Sequence, residues 1–207
     1  MVMRWASAGE KVIIGSRLRE KAERVASEIE KQTGARVKGT TNLEAASKAK
    51  VVVLSIPFEA VTEIIGQIKP ALTQEKIIVS TIAPIMRKGK LFTHETPRTG
   101  SAAEEVAKLV PRGVPVISAF QTVGAKQLQN FKEPLNCDIL ICGDSPKAKR
   151  NIVKLIEKIP GARAVDLGPL KNSRLVEPLA ALLAELTRRH HAPGIGLRFE
   201  GIQRKIK

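Results

Sequence analysis

"KVIIGSRLREKAERVA", residues 11–26, decides how the rest of the chain is read. It is a short β-branched run, then a turn carrying Gly15, Ser16 and Arg17, then an amphipathic helix. Ala22, Val25, Ala26 and Ile29 fall at i, i+3, i+4 and i+7, the spacing of one helical face. A strand that enters a helix through such a turn is half of a β-α-β unit. The same rhythm recurs downstream.

"ARVKGTT" (35–41) reads as a strand and "NLEAASKA" (42–49) as a short helix capped by Asn42. "VVVLSIP" (51–57) is a continuous apolar run, as in strands covered on both faces. "FEAVTEIIGQIKPAL" (58–72) is helical and "KIIVSTIAP" (76–84) is another buried strand. A polar loop follows. "SAAEEVAKLV" (101–110) is a helix with a capping box made by Ser101 and Glu104. "VPVISAFQT" (114–122) is a strand, "GAKQLQN" (124–130) a short helix and "CDILICGD" (137–144) a strand. "SPKAKRNIVKLIEKI" (145–159) is a helix that turns Ile152, Leu155, Ile156 and Ile159 to one side, and "ARAVDLG" (162–168) is the last strand. A long helix (172–191) follows, in which Pro178 predicts a kink or a break. A basic tail containing glycines closes the chain.

Alternation of apolar strands with helices predicts an α/β fold built on a doubly wound parallel sheet. Such sheets bind ligands at the carboxyl ends of their strands. The chemistry is therefore expected at Gly15-Ser16-Arg17, at Ser55-Ile56-Pro57-Phe58, at Ala83-Pro84 and at Gln121-Thr122-Val123.

The chain has 207 residues, of which 43% are hydrophobic, enough for a substantial core. No apolar run approaches the roughly 20 residues that span a bilayer, and the N-terminus lacks a secretory core, so a cytoplasmic location and no membrane partner are expected. The formal charge of +15 favours anionic ligands. Aromatic residues are only 3% and no nucleic-acid motif is present, which argues against nucleic acid and for an anionic small molecule. Cys137 and Cys142, five apart on a strand, face opposite sides on the order of 16 Å apart, beyond the reach of a disulfide. No metal-ligand spacing is seen. His94 falls in the polar loop, and His190 and His191 end a helix, where a cation suits the dipole; none is assigned to catalysis.

In dinucleotide-binding domains the end of the second strand meets the adenosine ribose, and NAD enzymes place an acid there. Here Ser16 and Arg17 stand at that place. A guanidinium fits phosphate oxygens bidentately, and Lys21 follows four residues later on the expected helix face, so NADP is preferred. The Gly-rich turn that usually precedes this unit is not seen, and residues 1–9, "MVMRWASAG", read as the last turns of a helix stopped by Gly9. The expectation is that the first strand is missing from the chain as written, leaving a gap between the two halves of the sheet.

"VIIGSRLREKAE", "LSIPFE", "KIIVSTIAP" and, most specifically, "LGPLKNSRLVEPLAALL" together resemble the reductases that pass hydride between NADP and the deazaflavin coenzyme F-420. The resemblance runs along nearly the whole chain. It implies a Rossmann-type NADP-binding domain over residues 1–144, a small, mostly helical C-terminal part over 145–207 that closes the deazaflavin cavity, and a homodimer. Ser16, Arg17 and Lys21 would hold the 2′-phosphate, and Ile56, Pro57 and Phe58 would lie beside the nicotinamide. Pro84, Thr122 and Val123 would line the deazaflavin side. Some relatives carry histidine where this chain has Gln121. Hydride transfer between two stacked rings needs no protein nucleophile or metal, only close placement and exclusion of water, so no catalytic residue is assigned. Ser173 and Arg174 could face an anion at a helix start. Alternatives are a catalytically silent or weakened NADP- and deazaflavin-binding protein, or an NADP-dependent imine or ketone reductase. The latter would require a proton donor near the nicotinamide.

Overall fold

β-Branched and small apolar residues concentrate in the strands, and the longer helices lay apolar stripes against them. The computed structural model describes residues 1–192 and 194–202. The elements in order are α1 (Val2–Ser7), β1 (Val12–Ser16), α2 (Arg19–Thr33), β2 (Val37–Thr41), α3 (Asn42–Lys48), β3 (Val51–Leu54), α4 (Val61–Ile68), β4 (Ile77–Ser80), β5 (Ile85–Lys88), β6 (Leu91–His94), α5 (Ala102–Leu109), β7 (Val116–Ser118), α6 (Ala125–Gln129), β8 (Cys137–Gly143), α7 (Pro146–Glu157), β9 (Ala162–Asp166) and α8 (Ser173–Arg189). Residues 203–207 of the basic tail lie outside the described residues.

The fold is α/β, as expected, with the strands in three groups. β1 and β2 pair in parallel, Ser16 opposite Thr41. The main sheet has five strands in the order β3-β4-β7-β8-β9. β3, β4 and β7 are parallel, as are β8 and β9, but β7 and β8 run antiparallel. The expected parallel sheet therefore holds in the main, with one antiparallel pairing, β7 with β8. β8 is buried along its whole length, and burial on both faces looks the same in either direction. The sheet continues across 144/145, because β9 pairs with β8. Among the described residues β1 pairs only with β2, and β3 is an edge of the main sheet. Val12 from one sheet and Val51 and Val53 from the other nevertheless pack on the same apolar cluster around Trp5, Val79, Ile117, Ile139 and Ile141. Its edge position explains why Val51 to Val53 are only half-buried rather than covered on both faces.

Three local expectations are corrected. The cap of α3 is Thr41, whose Oγ1 accepts from the backbone N–H of Glu44, and not Asn42. The polar loop after β4 contains a hairpin, β5–β6, turning at Gly89, and His94 is its last residue. α8 runs unbroken through Pro178. The cysteines behave as expected, with free, buried thiols on opposite sides of β8. Burial pushes Cys137 up to about 11 and Cys142 up to about 12.

Candidate functional site

The first half of the site stands at the end of β1. Gly15 lets α3 approach that strand, since a Cβ there would come within 3.1 Å of Asn42 Oδ1 and 3.2 Å of Ala45 Cβ. Ser16 Oγ accepts from the backbone N–H of Leu18 at 3.3 Å, which leaves its own proton free to donate. α2 begins only at Arg19, so Arg17 precedes the helix instead of sharing its face with Lys21. Both cations are exposed. Arg19 is committed to Glu44 at 2.6 Å, whereas among the described residues Arg17 meets only Glu63, at 3.8 Å, with 69% of its side chain exposed. A hydroxyl donor, an uncommitted guanidinium and an ammonium at a helix entrance suit a phosphate group.

The second half lies along the edge of the main sheet where β3, β4 and β7 end side by side. Thr81 donates from both its N–H and its hydroxyl to the carbonyl of Leu54, tying the ends of β3 and β4. Gln121 Nε2 donates at 2.9 Å both to the carbonyl of Ser80 and to Ser118 Oγ, tying β4 to the loop after β7. Ile56 and Phe58 are half-buried and pack on the apolar cluster beneath α4 and α5, while Pro57 is exposed. Pro84 is buried and Val123 half-buried. Thr122 is buried, its hydroxyl directed at the carbonyl of Asp138 at 3.5 Å. Ser16 and Arg17, Ile56 to Phe58, Pro84, and Thr122 and Val123 stand at or beyond the ends of β1, β3, β4 and β7, whereas Lys21 lies in α2. Arg17 leans toward α4, the helix that follows Phe58.

Reasoning from the sequence alone missed two features here. Gln121 Oε1 and Ser80 Oγ are buried polar atoms without a hydrogen-bond partner, between the ends of β4 and β7. Phe120 holds a left-handed backbone, φ 72°, which costs a non-glycine residue on the order of 1 kcal/mol or more and clusters at functional sites. Nothing in the sequence marks that backbone angle. The orphaned amide oxygen had a signal, a glutamine inside an otherwise apolar strand end. Among the described residues there is no cluster of metal-ligating side chains.

Ser173 and Arg174 are both engaged by protein partners. Ser173 is buried and donates to the carbonyl of Leu170, with its hydroxyl 2.8 Å from that of Ser101. Arg174 is held by Glu104 at 2.7 Å and donates to the carbonyl of Thr99.

Residues 1–84 match the family described as NADP oxidoreductase, coenzyme F420-dependent. The F420-dependent NADP reductase of Methanocaldococcus jannaschii is 38% identical over 200 residues, 93% of this chain and 89% of that protein. The chain belongs to the F420-dependent NADP reductase family. A second F420-dependent NADP reductase, from Methanothermobacter marburgensis, is 36% identical over 98% of this chain and 92% of its own length. Among solved structures, one from Arthrobacter sp. FB24, described provisionally as an F420-dependent NADP reductase, superposes with a TM-score of 0.79. It covers 95% of this chain and 93% of its own, at 19% identity, and confirms the Rossmann-type fold. Family membership runs through both halves of the site, since the aligned length includes β1 to α8.

Proposed function

We propose that this reductase transfers hydride between NADP(H) and coenzyme F-420 across the strand ends of the main sheet. The observation that carries the reading is Arg17, an exposed guanidinium at the end of β1 whose one ion pair among the described residues is a loose one with Glu63 at 3.8 Å. With Ser16 and Lys21 it holds the 2′-phosphate of NADP. Ile56, Pro57 and Phe58 shape the nicotinamide side. Pro84, Thr122 and Val123 shape the deazaflavin side, where Gln121 Oε1 and Ser80 Oγ keep an unused acceptor and an unused donor, a pair that suits an amide-bearing ring. When bound, the two coenzymes supply the hydride donor and acceptor. The chain's part is to place them and to keep water out with apolar side chains. The two alternatives, a silent binding protein and an imine or ketone reductase, are not favoured by the relatives.

Residues 1–144 serve as the NADP-binding part, and 145–207 close the deazaflavin cavity. What supports a closing role is that α8 reaches back to α5 and to the hairpin, although the main sheet itself continues across 144/145. Glu177 on α8 accepts from the N–H groups of Ala102 and Ala103 at the start of α5, and Phe92 of the hairpin donates to Glu185. The protein acts as a homodimer through α8. Leu175 and Leu182 are 65% and 50% exposed, and with the half-buried Leu179 and Leu186 they form a stripe at i, i+4, i+7 and i+11. Among the described residues no helix is long and apolar enough to cross a membrane. A cytoplasmic location is in keeping with two buried cysteines left as free thiols. Competition by 2′,5′-ADP tests the phosphate assignment. It should displace NADP from the wild-type chain, and 5′-AMP should not. Equal displacement by both would refute it.

A further inference from the structure

Asp138 is fully buried on β8, and Arg163 stands opposite it on β9. The guanidinium donates to both carboxylate oxygens, at 2.7 and 2.5 Å. A buried ion pair of this kind gives little net stability, because desolvation offsets the attraction. Among the described residues, the other partners of the two side chains lie in the segment 194–202, which has neither helix nor strand. The N–H of Asp138 donates to the carbonyl of Leu197 at 2.7 Å, and its Oδ2 accepts from the N–H of Phe199 at 2.6 Å. Arg163 donates to the carbonyls of Phe199 at 2.6 Å and Ile202 at 3.2 Å.

The segment runs from α6 to β8 at close range. A Cβ added at Gly194 would come 2.6 Å from Gln127 Cγ, and one at Gly196 would come 2.8 Å from Cys137 Cβ. Gln127 in turn accepts from the N–H of Gly124, the residue after Val123. From the other side, the carbonyl of Asp138 faces the hydroxyl of Thr122. The loop between β7 and α6 is thus gripped twice. It contains the strained Phe120, whose conformation needs such outside support.

We infer that Asp138, Arg163 and residues 194–202 form a clasp that positions Thr122 and Val123. The consequence for the reaction rests on reading those two residues as the deazaflavin side. Asp138 and Arg163 are positioning residues, acting on one substrate and not the other.

Two variants of the full chain test this by different routes. Gly196→Val lifts the segment from Cys137 with the ion pair intact, and Arg163→Met removes the clamp. Each should speed amide hydrogen exchange across residues 120–129 by about tenfold, an opening free energy lower by about 1.4 kcal/mol. Each should raise KM for the deazaflavin about tenfold and leave that for NADPH within about twofold. Arg163→Lys, which keeps the charge, should recover part of both effects. Faster exchange confined to residues 194–202, with 120–129 unchanged, would overturn the clasp. Faster exchange at 120–129 with an unmoved deazaflavin KM would uphold the clasp and refute the assignment of Thr122 and Val123.

Discussion

Arg17 Nη1 lies 3.8 Å from Glu63 Oε1, with more than half of each side chain exposed. This loose pair joins the end of β1 to α4, the two elements that flank the expected dinucleotide path. A pair so exposed contributes little to stability, so Arg17 is available to a phosphate. Arg17→Ala should weaken NADP binding by about 1.5 to 3 kcal/mol and leave NAD binding unchanged. Glu63→Gln, which removes the neighbouring negative charge, should strengthen NADP binding modestly at low salt. Titration calorimetry with both nucleotides checks this, and equal losses for the two in Arg17→Ala would remove Arg17 from the site.

Phe58 follows β3 and packs its half-buried ring on the cluster beneath α4. Phe58→Ala should raise KM for NADPH or lower kcat through ring misplacement, without changing the shape of the pH–rate profile. A new ionisation in that profile would show that the position bears on proton transfer.

Glu177 is buried with no counter-charge and accepts from two N–H groups at the start of α5. Burial raises it from the ordinary 4.5 to about 7, with Glu104 nearby pushing the same way and the two N–H groups opposing. The folded state therefore keeps this proton longer than the unfolded chain. Its contribution is fully present below about pH 4.5 and is lost as pH rises through about 7. Glu177→Gln should gain melting temperature relative to wild type between pH 5 and pH 8. The same difference at both pH values would contradict the burial of an ionisable group there.

The leucine stripe on α8 predicts a dimer that a charge disrupts. Leu182→Glu should shift the chain from dimer to monomer in light scattering while leaving its circular dichroism unchanged. A wild-type chain that is monomeric at high concentration would exclude the interface.

Much of this was legible because local chemistry and tertiary place agree. The apolar runs at 51–54, 77–80 and 137–143 became strands, and the residues just beyond β3, β4 and β7 line one sheet edge, as the rule for α/β sheets requires. The hairpin was not legible. All four residues of β5 are exposed, so no apolar alternation marks it. The reversed direction of β8 had no local signal either, since direction is set by the connection through α6 and not by the strand's own side chains. Pro178 does not break the helix, because the N–H it lacks removes one bond near the start of a 17-residue helix. The clasp on Asp138 joins residues far apart in sequence, which no motif announces.

The central claim is hydride transfer between two coenzymes bound by this chain. The most direct measurement mixes the purified protein with NADPH and oxidised coenzyme F-420 and follows both absorbances together. NADPH and oxidised deazaflavin should disappear in a one-to-one ratio, NADH should support far slower turnover, and Arg17→Ala should narrow that difference. Tight binding of both coenzymes with no loss of either absorbance would contradict it.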